Sequence, residues 1–151
     1  MEIQIRMDCP TPGLDEQKIR VKAEKALEDL GYHDKELSIL FTDDEHMAVL
    51  NQQYRDKAGA TDVLSFPMGE DLDGETTPAL FEPVMLGDVV VSVDTALRDA
   101  EELKQPFERT VDRLLIHGIL HLLGYDHEKS QVDAMRMIKE EERLMALLEK
   151  P

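Results

Sequence analysis

Polar and apolar residues alternate from Glu2 to Asp8, a period-2 pattern that predicts an opening strand over 2–8. Ile19, Ala23, Ala26, Leu27 and Leu30 then recur at helical spacing, predicting a helix over 15–30 with Gly31 as its stop. Glu36 to Phe41 reads as a second strand. Thr42-Asp-Asp-Glu45 reads as a capping box opening a helix that carries Met47, Val49 and Leu50 to about Tyr54. A loop around Gly59 leads into a short strand from Thr61 to Phe66, stopped by Pro67. Residues 68–85 hold Gly, Pro, Asp and Glu with no basic residue and read as a mobile loop. Leu86 to Val93 is the run richest in β-formers and reads as a central strand. Asp94 is placed to cap a helix to about Leu103, and Pro106 to start the next one. Ser130-Gln-Val-Asp133 is a further capping box. It opens a last amphipathic helix to about Glu149, with Val132, Met135, Met137, Ile138, Leu144 and Leu148 as its apolar positions.

The early β-α-β order favours parallel pairing through right-handed crossovers, whereas the helix-free 68–85 connection favours an antiparallel neighbour. The expected architecture is α+β with an α/β-like start. It has one small mixed, mostly parallel sheet and about five helices. No repeat or linker interrupts the chain, so residues 1–151 read as a single domain.

Composition narrows the setting. No run approaches the ~18 consecutive apolar residues of a membrane span. The alternating N-terminus is a strand pattern, not a signal-peptide pattern. The lone Cys9 excludes an intramolecular disulfide, suits a reducing compartment and is read as structural. Cytoplasm is the default location. The net charge of −16 argues against any protein that clings to nucleic acid by bulk electrostatics, and DNA is not an expected partner. Contacts to RNA would have to use local basic residues: Arg55, Lys57, Arg98, Lys104, Arg109 and Arg113 in the middle of the chain.

The candidate chemistry concentrates at one place. Three of the five histidines lie within eleven residues, in His117-Gly-Ile-Leu-His121-Leu-Leu-Gly-Tyr-Asp-His127. Residues four apart share a helix face, so His117 and His121 point the same way. Gly124 permits a left-handed cap that ends the helix and can bring His127 back over that face. Nearly every other residue from Leu114 to Leu123 is apolar, so the helix is buried. Two unpaired imidazoles there would cost roughly 1–3 kcal/mol each. A metal ion removes that cost. Three neutral imidazoles suit Zn²⁺, with Ni²⁺ or Co²⁺ as substitutes, one ion per monomer, and leave a fourth position open. The spacing resembles that of metzincin proteases, but the glutamate that serves them as general base is replaced here by Gly118. A zincin-like metal helix without its peptidase base makes peptide hydrolysis the less favoured chemistry.

A second constellation precedes the histidines. Asn51-Gln-Gln-Tyr-Arg55 puts a guanidinium at a helix end, and Thr61-Asp-Val-Leu-Ser-Phe-Pro67 follows it, with Thr61, Asp62 and Ser65 expected to line the substrate cleft or to support the residues that do. Gly87-Asp-Val-Val-Val-Ser92 and the histidine run come next. In this order, over residues about 45 to 127, these segments closely resemble the bacterial YbeY family. The resemblance implies a metal-dependent endoribonuclease acting on ribosomal RNA, and the net charge of −16 favours a narrow cleft that admits a single strand more easily than a duplex. Its implied roles are 3′-end maturation of the small-subunit RNA and ribosome quality control, with the ribosome or its small subunit as partner. It also implies His117, His121 and His127 as Zn²⁺ ligands, with Arg55 beside His117 in the reacting group. A metal can activate water and polarise a phosphoryl oxygen, and a guanidinium can clamp the phosphate. The general base stays open among hydroxide on the metal, Asp126 and the RNA 2′-hydroxyl. For Asp126 the favoured reading is instead that it orients a ligand histidine. Arg113, one turn before His117, is expected to help line the substrate cleft. Two other readings remain: a metallohydrolase of another substrate class, and a non-enzymatic ribosome-assembly factor with structural zinc.

Overall fold

The structure, a computed structural model, describes residues 2–11, 13–67, 85–126 and 130–149. The elements run β1 (Ile3–Met7), α1 (Glu16–Asp29), β2 (Glu36–Thr42), α2 (Asp44–Arg55), β3 (Val63–Pro67), β4 (Met85–Ser92), α3 (Val93–Leu103), α4 (Phe107–Leu122) and α5 (Gln131–Glu149). The expected mobile loop over 68–85 lies outside the described residues except for Met85, which already belongs to β4.

The sheet is mixed, with strand order β1-β2-β4-β3. β1 and β4 both run parallel to β2, and β3 pairs antiparallel with β4. The α+β expectation and the antiparallel partner therefore stand. β4 is internal and holds Val89 and Val91 at 0% exposure, which explains its concentration of β-branched residues. One sheet face packs Ile3, Leu37, Ile39, Phe41, Val89 and Val91 against α1, α3 and α4. The other face carries a smaller cluster of Met47, Leu64 and Val90 under α2.

α4 is apolar nearly all round because it is covered on two sides. Leu114, Leu115, Ile119 and Leu122 face the sheet, while Ile116 and Leu120 join Met137, Leu144 and Met145 of α5. The α1 lysine Lys22 ties down the start of α4, donating to Glu108 at 2.8 Å and to the Asp112 carboxylate at 2.9 and 3.1 Å. Burial pushes the Asp112 carboxyl up despite that ammonium.

Two caps differ from expectation. Asp43, not Thr42, caps α2, accepting from the His46 amide at 2.8 Å. Thr42 is buried as the last residue of β2, which runs one residue further than its pattern predicts. Ser92, not Asp94, caps α3 through the Thr95 amide. The reason is Asp44, whose carboxylate accepts from both Ser92 Oγ and Thr95 Oγ1 at 2.6 Å and pairs with Arg98. That junction joins the starts of α2 and α3 and fixes Ser92 at the cap. Burial works to raise the Asp44 pKa, but the two hydroxyls and Arg98 outweigh it and hold the group low.

The apolar face of α5 is also shifted. Val132, Met135 and Ile138 are 67%, 60% and 52% exposed, so they do not belong to the core. The inward stripe is Met137, Leu144 and Met145, because that side of α5 packs on Ile116 and Leu120 of α4 while Val132, Met135 and Ile138 fall on another side of the helix.

Candidate metal centre

The histidine helix ends as its sequence requires. Gly124 adopts φ of 95°, and the Tyr125 and Gly124 amides donate back to Leu120 O at 3.0 Å and His121 O at 3.1 Å. This Schellman pair satisfies the last carbonyls and turns the chain. Asp126 returns to line the same cleft as His117 and His121. His127 lies outside the described residues.

His117 and His121 converge. Their Nε2 atoms stand 3.0 Å apart, with ring centroids 4.6 Å apart at an interplanar angle of 71°. Two imidazoles on one tetrahedral Zn²⁺, with bonds of about 2.0–2.1 Å, would have nitrogens about 3.3 Å apart. The pair is therefore within a few tenths of an ångström of that spacing. The two donors present fit a metal of this class. Among the described residues no set of three His, Cys, Asp or Glu is placed to hold a metal ion. The sequence nominates His127 as the third.

The other side of the cleft comes from α2 and β3. The cleft has a volume of about 470 Å³ and also contains Arg55, Lys57, Thr61 and Asp62. Arg55 is the last residue of α2, and Asp56 in the left-handed conformation (φ 54°) stops the helix behind it. Arg55 is exposed, yet its Nη2 donates to the Ser65 carbonyl at 3.2 Å, which holds the guanidinium against β3. The buried Asn51 donates to Gly59 O at 2.9 Å and fixes the loop after the helix. Asp62 Oδ1 accepts from its neighbour's amide, Val63 N, at 2.8 Å and from Thr61 Oγ1 at 3.4 Å, so both polar groups close the turn into β3. The Ser65 hydroxyl is buried and donates to Gly118 O of α4 at 2.8 Å. It pins β3 to the histidine helix.

Gly118 now has a positive reason. A Cβ there would stand 2.6 Å from Val89 Cγ1 and 3.3 Å from Ser65 Oγ. Val89 is fully buried and β-branched, so it cannot yield easily. α4 lies this close to the sheet only because residue 118 has no side chain. A glutamate in the metzincin position would therefore face the sheet interior in this fold, and overpacking typically costs about 1–3 kcal/mol.

Arg113 departs from its expected place. It lines an adjoining groove between α4 and α5, with Arg109, Glu141 and Met145, and not the cleft that holds Arg55. The cause is helical drift. Residues four apart are rotated by about 40°, so a stripe of fourth residues winds around the axis. Arg109 and Arg113 lie on the α5 side, and His121 reaches the cleft.

The sequence reading missed Glu141. Its Oε1 bonds the Nδ1 of His117 from the facing helix. A signal was present: Met137, Glu141, Leu144 and Met145 fall on one helical stripe, so a carboxylate occupies a core-facing position.

A family model described as Endoribonuclease YbeY matches residues 6–149. The chain belongs to the YbeY family. Endoribonuclease YbeY of Aquifex aeolicus is 47% identical over 133 residues, 88% of this chain and 83% of that protein. The protein of the same name from Geobacter metallireducens is 44% identical over 134 residues, 88% and 86% of the two chains. That from Syntrophus aciditrophicus is 40% identical over 149 residues, 98% and 90% of the two chains. The solution structure of TM1509 from Thermotoga maritima matches the fold with a TM-score of 0.63 at 25% identity, covering 97% of this chain and 88% of that one. The YbeY resemblance drawn from four sequence motifs is thus shown over almost the whole chain. No helix among the described residues is long and apolar enough to cross a membrane.

Proposed function

We propose that this chain is a zinc-dependent endoribonuclease that cuts unpaired ribosomal RNA in the cytoplasm. Its work would be 3′-end maturation of the small-subunit RNA and ribosome quality control. The observation that carries the reading is the shared cleft, in a chain of the YbeY family, where the His117–His121 pair and Arg55 line one space. The relatives of that family are named as endoribonucleases. His117 and His121, with His127, would hold the ion. When bound, the ion supplies an activated water and a charge that polarises a phosphoryl oxygen.

The chain's own residues do the rest. The Ser65 carbonyl orients the Arg55 guanidinium through one N–H, and a guanidinium has further N–H groups that can meet a phosphate oxygen. Ser65 also holds α4, and so the histidines, at a fixed distance from the strand that orients Arg55. The geometry is thus set by one residue that faces both partners. Net charge supports the preference for unpaired RNA. At −16 bulk electrostatics work against binding the spread phosphates of a duplex, so recognition would rest on the cleft that holds Arg55 and Lys57. Specificity then depends on the ribosome or its small subunit as partner.

Purified zinc-loaded protein should be incubated with single-stranded RNA, an RNA duplex and casein over a range of salt. The expected result is cleavage of the single strand, weakening as salt rises, with duplex and casein intact. Cleavage of casein, or equal cleavage of duplex RNA, would overturn the reading.

A further inference from the structure

We propose that Glu141 is the positioning residue for His117, fixing which of its ring nitrogens faces the metal position. This inference rests on the metal site proposed above and concerns a residue of α5 that none of the motifs includes. Glu141 lies on the buried stripe of α5, near Met137 at 1% exposure and Leu144 at 0%. Its own side chain is 19% exposed. A carboxylate there gives up hydration, and the group it meets is His117 Nδ1. An ionised carboxylate only accepts, so Nδ1 carries the hydrogen. The neutral ring then has its lone pair on Nε2, the atom that faces His121 Nε2 at 3.0 Å. The contact also stops the ring from flipping by half a turn, which would present the protonated nitrogen to the metal. A carboxylate on the far nitrogen raises the basicity of a ligand imidazole as well.

The competing explanation is a plain tie between α4 and α5. Their packing does not depend on it, because Ile116 and Leu120 already meet Met137, Leu144 and Met145. A tie would be indifferent to the histidine tautomer. A positioning residue would not be.

The test compares Glu141→Ala and Glu141→Gln with wild type, using zinc affinity by chelator competition. Long-range ¹H–¹⁵N spectra of the metal-free proteins, taken above the histidine pKa, report the His117 tautomer. Alanine should weaken zinc binding by about 10–100-fold and leave His117 a mixture of tautomers. Glutamine keeps an acceptor for Nδ1–H but loses the charge, which contributes about half of such a bond. It should bind zinc about 3–10-fold more weakly than wild type and keep the single tautomer. Should the alanine variant not fold, the glutamine pattern decides by itself. Wild-type affinity in both variants, or glutamine no better than alanine, overturns the role of Glu141. A wild-type chain that binds no zinc overturns the metal reading itself and this inference with it. Neither readout involves RNA cleavage, so failure to cut RNA leaves the role of Glu141 standing.

Discussion

Replacing His121 with alanine is expected to leave the purified chain without stoichiometric zinc, and RNA cleavage should fall by at least about 10²–10³-fold. His121 supplies one of the two Nε2 atoms that meet at 3.0 Å. Without it, two of the three proposed ligands remain, too few for a stable catalytic zinc site. The fold should survive. His121 is only half-buried at the mouth of the cleft, and alanine is the best helix former. Circular dichroism should therefore match wild type while elemental analysis of the same sample shows the zinc gone. Full zinc occupancy in the folded variant would show that the ligands have been assigned to the wrong residues.

Reversing the charge at Arg55 should separate function from stability. The side chain is exposed, and its described bond is one donated to the Ser65 carbonyl. A glutamate at the C-terminal end of α2 also meets the helix dipole unfavourably, by about 0.3–1 kcal/mol. Together these predict a fall in melting temperature of no more than about 2–4 °C. Zinc content should not change. Cleavage should drop by about 10²–10³-fold, since the group that meets the phosphate now repels it. The measurement is kcat/KM on a single-stranded RNA beside a melting curve. Retained activity would reduce Arg55 to a surface residue. Loss of zinc would show that the cleft wall had been disturbed as well.

Much of the architecture was legible because it follows from strong local signals. The alternation in β1, the β-branched run in β4 and the Gly124 stop after α4 each specify one structure. The resemblance rested on motifs of similar strength. What sequence could not show depends on contacts between distant segments. Thr42 and Asp94 have the chemistry of caps, but the Asp44–Ser92–Thr95 junction, formed across some fifty residues of chain, selects Asp43 and Ser92 instead. Val132, Met135 and Ile138 have helical spacing, yet which side of α5 is covered depends on where α4 lies. In the sequence Gly118 stands out only as the position where metzincins carry a glutamate. Its structural reason, the close approach to Val89, needed the packed sheet. Arg113, one turn before His117, lines the neighbouring groove because a spacing of four residues drifts around the helix axis.

Zinc titration of metal-stripped protein, read by cleavage of a single-stranded RNA, tests the central claim most directly. The account predicts no cleavage in the stripped protein and a linear return that saturates at one equivalent of zinc per chain. In the His121→Ala variant the same titration should restore nothing. Cleavage that persists after stripping, or that returns equally in the variant, would contradict it.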